Sequence, residues 1–330
     1  MGRAKQGAVL AMSVAIYAEK FSRLAVNVAH GRASPHKICM LLAVLDLARG
    51  GGLTENRIRY EPMLLERYRR FFEAVRAPGD HPNPYLPFFH LAGNLRGGEK
   101  SFWALKAVAG REAVLAAMSS SYSGKDITDN IAHAELDAAL FVLLQDPAAI
   151  DALTESLAQH WFGRGLEDLA TVVERSAAVS RYERRLRSSE LTPAVKDVPP
   201  PAYIRDPAFR RVVIQAYDYR CAATGVRVVL PSGEAMVEAA HIHPFSVAGD
   251  DDPRNGLALT PDMHWAMDKD LIAPGPDLKW HVSKALDSRI PDFRALCELA
   301  GRPLILPTEA RLYPKRECLA WRWERLKNGA

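Results

Sequence analysis

The sequence predicts an α+β protein with a mainly helical first half, a basic helical connector and a C-terminal domain of strands and a helix. The chain has 330 residues, more than one compact core usually organises. Helical apolar spacing dominates the first half, whereas strand and turn patterns follow a run of three prolines at 199–201. We therefore expect domains at 1–165 and 201–330, joined by a connector at 166–200.

The composition is that of an ordinary globular protein, with 48% hydrophobic and 25% charged residues. It excludes a disordered tail, a collagen-like chain and a coiled-coil rod. No apolar run reaches the roughly 18 residues of a membrane span. The four cysteines form no Cys-x-x-Cys pair, which argues against a disulfide framework or a cysteine zinc ribbon. The apolar stretch Ala8–Ala18 lacks a signal-peptide cleavage site, so we expect a cytoplasmic protein.

Capping signals and apolar stripes place the helices of the first half. Ser34-Pro35 and three glycines from Gly50 bound a helix at His36–Arg49. The same patterns predict helices at the following ranges: Glu61–Val75, Asp129–Leu144, Pro147–Gln159, and a connector helix that ends near Ser189. Prolines at 82, 84 and 87 predict a loop or edge at His81–Phe89, and two glycines after Arg96 predict a hairpin that continues to Leu105.

Beyond the prolines, a helix is expected at Asp206–Tyr217, capped by its first two residues. The pattern then predicts two strands, Val226–Leu230 and Glu234–Ala239, joined by a turn at Pro231-Ser232-Gly233. His241 follows the second strand, and a helix that starts at Thr260-Pro261 carries His264 and Asp268. The result is a strand–strand–loop–helix unit with histidines at both ends of its loop.

The net charge of +4 permits a nucleic-acid partner without requiring one. Its distribution is more informative: residues 174–196 hold six basic and three acidic residues, whereas residues 250–270 hold six acidic and two basic ones. A basic connector beside an acidic, histidine-containing pocket suits a polyanion held near a metal ion. A solvated helix face and a charged loop explain the charges equally well, and Asp250–Asp252 is itself predicted to be a turn.

Four residues of this unit can carry out phosphodiester chemistry. His264 and Asp268 lie four apart, so on a helix they share a face and can bind one divalent ion. His241 at the strand end could face that ion and take a proton from a water aimed at phosphorus. Asn255 does not titrate, but its amide can fix the backbone between strand and helix.

The same segment resembles the ββα-metal unit of HNH endonucleases. The resemblance lies in Ala-Ala-His-Ile-x-Pro at 239–244, Asn-Gly-Leu-Ala-Leu at 255–259, and the late histidine. It implies that His241 is the general base, that Asn255 orients it, and that His264 with Asp268 binds a divalent metal, Mg²⁺ or Mn²⁺. A strand at Leu304–Pro307 and a helix around residues 319–322 are similar to the closing elements of that subgroup.

Two departures from the HNH pattern change the expected ligands. Ala240 stands where many HNH nucleases have a metal-binding Asp or His, so water, phosphate oxygens, Glu238 or His243 would complete the coordination. For His243, packing or a position beside phosphate is the preferred interpretation. Thr224 stands where relatives with a structural zinc have the second cysteine after Cys221, so we expect no structural zinc and hydrophobic packing in its place.

The first half resembles, over residues 25–165, the sulfur-recognising domain of phosphorothioate-dependent type IV restriction enzymes. The resemblance rests on four segments: Ser34-Pro35-His36-Lys37, Leu86–Leu91, Phe102–Leu105, and a helix at His133–Pro147. It implies that His36 and Lys37 contact backbone phosphate and that Pro87 lines an apolar pocket for the modified group. His90, Arg184 and Arg185 complete the predicted DNA-binding set. Leu86 replaces an expected aromatic residue, which leaves another modification, sequence-and-shape reading or a purely structural helical domain open.

Taken together, the sequence predicts a metal-dependent HNH DNA endonuclease, a phosphodiester hydrolase of the modification-dependent restriction type. Its expected partner is double-stranded DNA with phosphorothioate or another modification, with no membrane partner and with a homodimer left open. The alternatives are a non-catalytic DNA-binding regulator with a decayed HNH fold, and a sequence-reading or toxin-type HNH nuclease.

Overall fold

The computed structural model describes residues 2–29, 32–162, 169–188 and 200–328. It divides into two compact units, Met1–Arg184 with Pro231–Gly233 and Arg185–Leu230 with Glu234–Ala330. The structure is about 51% helical, and the sheets of the described part are two-stranded and antiparallel, which confirms the α+β class. The predicted boundary at 165–166 lies outside the described residues, as does Pro199. No helix of the described segments combines the length and apolar character of a membrane span.

The first unit is mainly helical with two short hairpin-like sheets. Its helices are α1 (Gly2–Ser22), α2 (His36–Arg49), α3 (Pro62–Val75), α4 (Tyr85–His90), α5 (Glu112–Ala117), α6 (Gly124–Asn130), α7 (Ala138–Leu143), α8 (Pro147–Phe162) and α9 (Leu169–Arg187), of which the last three residues belong to the second unit. Its strands are β1 (Val28–Ala29), β2 (Arg32–Ala33), β3 (Trp103–Ala107) and β4 (Ile131–Leu136).

Helix α2 is the centre of the first core. Its bounds are those predicted, and every side chain from Ile38 to Arg49 is buried. A helix that is buried on all sides must lie inside a layer of other helices, and α3 and α8 both pack against it. The predictions of α3, α8 and the connector helix α9 are confirmed to within a few residues.

The prediction that His81–Phe89 avoids helix is wrong, because α4 begins at Tyr85 and includes Pro87. Pro87 is the third residue of the helix. The backbone N–H groups of a first turn have no helical acceptor, so a proline there loses no hydrogen bond.

Three further predictions in this half are wrong because they overlooked one strand pair. β3 does not form a hairpin across Gly97-Gly98; it pairs with β4, with Trp103 opposite Leu136. Residues 131–136, which both predicted helices at 129–144 and 133–147 include at least in part, form a strand that contains His133. Pairing with a distant strand overrides a local helical preference, and Ala134 also bridges to Ile58.

The second unit contains short elements around a ββα arrangement. Its helices are α10 (Ala202–Ala216), α11 (Phe245–Ala248), α12 (Pro261–Asp268), α13 (Arg294–Cys297) and α14 (Arg316–Asn328). Its strands are β5 (Glu238–His241), β6 (Gly256–Leu259), β7 (Ile272–Pro274) and β8 (Trp280–Val282). Helix α12 starts where predicted, directly after Thr260.

Three bounds in this unit differ from the predictions. Helix α10 starts before Asp206, because the Pro201 carbonyl accepts the N–H groups of Ile204 and Arg205 and closes an earlier first turn. The predicted 226–239 hairpin is reduced to an isolated bridge between Val229 and Ala235, and residues 238–241 form β5, which pairs with β6. Residues 304–307 form no regular strand, although the Leu304 and Ile305 N–H groups bond to carbonyls of neighbouring segments.

A buried charge cluster attaches α9 to the core of the first unit. Arg67 on α3 donates to Asp46 on α2 (3.2 Å) and to Glu183 on α9 (2.5 Å), and all three side chains are fully buried. Ser176 on α9 also donates to Asp46 (2.9 Å). Burial alone would lower the pKa of Arg67, but the charges of Glu183 and Asp46 outweigh it and raise that pKa. The guanidinium is therefore charged at every physiological pH.

We predict that Arg67→Met lowers the free energy of unfolding by about 3–5 kcal/mol, because it removes the guanidinium that pairs with two buried carboxylates. The matched control is Arg70→Met on the same helix, where the pair with Glu66 is partly exposed and is worth at most about 1 kcal/mol. Urea-induced unfolding of the two variants measures the difference. Equal losses in both would mean that the cluster is not what attaches α9.

Candidate active site

The predicted chemistry-bearing residues lie on a ββα unit formed by β5, β6 and α12. β5 and β6 pair antiparallel with His241 opposite Gly256 and Glu238 opposite Leu259. Thr260 links β6 directly to α12, so the helix starts beside the end of β5 that carries Glu238.

Gly256 lets α10 approach this strand pair. A Cβ atom at this position would lie 2.5 Å from Val213 Cγ2 and 2.9 Å from Phe209 Cζ, closer than side-chain carbons can pack. The glycine of the Asn-Gly-Leu run is therefore a packing requirement. The same approach brings the Phe209 ring against His241, with ring centroids 3.9 Å apart and planes at 2°.

Asn255 closes the loop between the two strands. Its Oδ1 accepts the His243 N–H (2.9 Å), while its Nδ2 donates to the carbonyls of His243 (2.9 Å) and Asp250 (3.0 Å). The residue is fully buried, so these bonds satisfy an amide that would otherwise be costly to bury. Asn255 thereby fixes the backbone two residues after His241.

The His241 imidazole is held on two sides and is partly exposed on the rest. Its ring stacks on Phe209, and its Nε2 lies 3.0 Å from Oδ1 of Asp251. About 19% of the side chain is exposed, enough for a water molecule or a phosphate to reach it.

His264 lies between two carboxylates. Its Nδ1 is 2.8 Å from Oε2 of Glu238 on β5, and its Nε2 is 3.4 Å from Oδ2 of Asp268 one turn along α12. A carboxylate only accepts hydrogen bonds, so Glu238 favours the tautomer with the proton on Nδ1. The Nε2 lone pair then faces Asp268, as in the carboxylate–histidine–metal arrangement of many metal sites.

This donor set fits a divalent ion held by two protein ligands. Nε2 of His264 and Oδ2 of Asp268 are close enough to bind one ion, whereas Glu238 faces the opposite ring nitrogen and orients the histidine. Ala240 is fully buried, so its position could not present a ligand to solvent. Among the described residues no cluster of three or more His, Cys, Asp or Glu side chains could hold a metal.

Arg322 on α14 holds this unit together from the far end of the chain. It is 2% exposed and donates to the carbonyls of Ile242 (2.7 Å), His241 (3.2 Å) and Met267 (3.3 Å). One guanidinium thus ties the end of β5 to the last turn of α12. The sequence showed only that a helix closes the domain, and nothing in it marked this arginine.

The remaining residues discussed for this unit have structural contacts. His243 stacks on Trp321, with centroids 4.1 Å apart, and burial beside Arg322 lowers its pKa. Cys221 is buried, and its sulfur accepts the Thr260 N–H (3.5 Å) at the start of α12. Both contacts join the ββα unit to its surroundings.

In the first unit, four of the predicted DNA-binding residues line one cavity of about 420 Å³: His36, Lys37, Pro87 and His90. Leu86, Ala25 and Val26 add apolar wall. Arg184 and Arg185 lie near the end of α9 and do not line it.

Lys37 is the cationic group of this cavity. Its ammonium has no ion-pair or hydrogen-bond partner in the described parts of the chain, and burial lowers its pKa. Both ring nitrogens of His36 are occupied, by Ser34 Oγ (2.9 Å) and the His81 carbonyl (2.8 Å). His90 bonds to Ser120 (3.0 Å), and burial together with the charge of Lys37 lowers its pKa. Lys37 is therefore the side chain best placed to receive an anion.

Comparison with known proteins found one family match, which covers part of the second unit. Residues 221–273 match the family model described as HNH endonuclease, so the chain carries an HNH endonuclease domain there, with an α+β fold. None of the curated proteins matches the chain. A solved structure titled "Modification dependent TagI restriction endonuclease" is similar at 21% identity and a TM-score of 0.30, covering 37% of this chain and 38% of that one. A TM-score of this size does not establish a common fold.

We predict that Asp268→Ala weakens Mn²⁺ or Mg²⁺ binding at least tenfold, because the ion loses one of two protein ligands. Isothermal titration calorimetry measures the affinity, and excess metal should partly restore any metal-dependent activity. Asp262→Ala, on the exposed face of the same helix, is the charge-matched control and should bind metal as the wild type does. Unchanged affinity in Asp268→Ala would place the ion elsewhere.

Proposed function

We propose that the protein is a modification-dependent DNA endonuclease, in which the second unit hydrolyses phosphodiester bonds and the first unit recognises modified DNA. The observation that carries the proposal is the arrangement of His241, His264 and Asp268 within the segment that matches HNH endonucleases. It pairs a candidate base with a candidate metal pair on one ββα unit.

In the proposed reaction His241 acts as the general base. It takes the proton of a water molecule as the water oxygen attacks phosphorus, while the bond to the leaving oxygen breaks. Asn255 keeps the backbone after His241 in place, and Glu238 keeps Nε2 of His264 turned toward Asp268. A divalent ion bound there supplies charge for the developing negative oxygens.

The cavity of the first unit supports a role in reading DNA. A half-buried lysine without a counter-charge binds phosphate well. The anion neutralises the ammonium, and its oxygens accept the hydrogen bonds that water can no longer accept from the buried group. Apolar walls beside it, formed by Leu86 and Pro87, suit a group less hydrated than a phosphate oxygen, such as the sulfur of a phosphorothioate. The proposed division therefore assigns charge recognition to Lys37 and discrimination to the apolar wall.

The activity is tested with matched plasmids that carry phosphorothioate, 5-methylcytosine, 5-hydroxymethylcytosine or no modification. We expect Mg²⁺- or Mn²⁺-dependent cleavage of one modified plasmid, and a loss of 10²-fold or more in His241→Ala, the usual size of a general-base contribution. His281→Ala, which removes a partly exposed histidine of the same unit, should cleave normally. Absence of cleavage of every plasmid, or equal rates in His241→Ala, would contradict the proposed nuclease.

For the first unit, we predict that Lys37→Met weakens binding of all DNA about equally and lowers the salt dependence by about one counterion. A phosphate contact positions the protein without specifying sequence, so the ratio of modified to unmodified affinity should stay the same. Lys125→Met removes an exposed lysine that pairs with Asp129 and serves as the control. Fluorescence anisotropy at several salt concentrations gives both quantities, and identical slopes for the two variants would remove Lys37 from the interface.

A further inference from the structure

The three consecutive aspartates of the loop after α11 have different partners. Asp250 bonds to Nζ of Lys315 (2.8 Å), and Asp252 bonds to the same Nζ (3.0 Å) and to Arg254 (2.6 Å). Asp251 is directed to the opposite side, where Oδ1 lies 3.0 Å from Nε2 of His241. Its side chain is only 4% exposed, so this is a buried carboxylate aimed at the candidate base.

The Asn255 and Lys315 contacts explain why the middle aspartate faces inward. Asn255 Nδ2 holds the Asp250 carbonyl, and Lys315 holds the side chains on either side of Asp251. Arg205 on α10 lies 3.5 Å from Oδ2 of Asp251 and also stacks over the Phe245 ring. A positive charge therefore lies beside the carboxylate oxygen that does not contact His241.

The chemistry of the contact determines which nitrogen of His241 can act as a base. A carboxylate accepts and does not donate, so Nε2 carries the ring hydrogen and Nδ1 keeps its lone pair. Stacking on Phe209 prevents the ring from leaving this plane. The charged groups that face His241 are Asp251 on the ring and, at its backbone carbonyl, Arg322.

We propose that Asp251 is the positioning residue of the general base and that Arg205 holds Asp251 in place. The inference rests on the proposed function. As the water oxygen bonds to phosphorus and the leaving oxygen departs, the water proton passes to Nδ1 of His241. The resulting imidazolium is stabilised by the Asp251 carboxylate, in the manner of the aspartate of a Ser-His-Asp triad.

The tautomer of His241 in the wild-type protein is the first test, and it needs neither a variant nor cleavage. Long-range ¹H–¹⁵N correlation spectra of the full chain distinguish a protonated Nε2 from a protonated Nδ1, with His241→Ala used for assignment. We expect the Nε2–H form. A neutral His241 with hydrogen on Nδ1 would overturn the proposal, whether or not the protein cleaves DNA.

The second test compares Asp251→Asn with Asp287→Asn, the same charge change at an aspartate of the same unit that pairs with the exposed Arg289. We expect Asp251→Asn to lower kcat by about 10- to 100-fold with little change in KM, as removal of an orienting partner does. Asp287→Asn should retain wild-type kcat. In a His241→Ala background Asp251→Asn should cause no further loss, because it acts only through the histidine. Equal kcat values for Asp251→Asn and Asp287→Asn, or additive losses in the double variant, would show that Asp251 is only structural. If wild-type protein cleaves no DNA while the Nε2–H form is found, the proposed function fails and the orientation of His241 by Asp251 stands.

Discussion

The carboxamide of Asn255 is the contact on which the geometry of the second unit depends. It satisfies both backbone groups of His243 and the carbonyl of Asp250, and so draws the two ends of one loop together. His241 precedes His243 by two residues and Asp251 directly follows Asp250. Because Asn255 holds His243 and Asp250 close together, the side chains of His241 and Asp251 come into contact. A side chain that does not titrate is suited to this task, because its bonds persist at any pH at which the protein folds.

Arg322 reinforces the same geometry from a distant part of the sequence. Its three carbonyl acceptors lie on β5, on the residue after it and on α12, which are the elements that carry the candidate base and the candidate metal ligands. A buried guanidinium satisfies several carbonyls at fixed angles, which an apolar side chain of the same volume would leave unpaired. The position of His241 relative to His264 and Asp268 is therefore set by hydrogen bonds in addition to packing.

The sequence predicted features whose signals are local. Helix α2 was bounded by proline and glycine, and His264 and Asp268 were placed on one helix face by their spacing alone. Features that depend on distant partners were missed. The sequence pattern of β4 predicts a helix, although the segment forms a strand by pairing with β3, and the pattern of three consecutive aspartates predicts only a charged turn. Only the fold shows that the Asp251 side chain faces His241 while the side chains of its neighbours face Lys315. The direction of each aspartate side chain in this turn therefore could not be predicted from composition.

The buried cluster at Asp46, Arg67 and Glu183 has a consequence for dividing the chain into independent pieces. Glu183 lies near the end of α9, far along the chain from the two residues with which it pairs. A fragment that stopped at residue 165 would bury Arg67 without one of its carboxylates and would expose the apolar side chains that α9 covers. A fragment of the first half with an intact interior has to extend to Arg184, so most of the basic helix belongs to the compact unit of the first half.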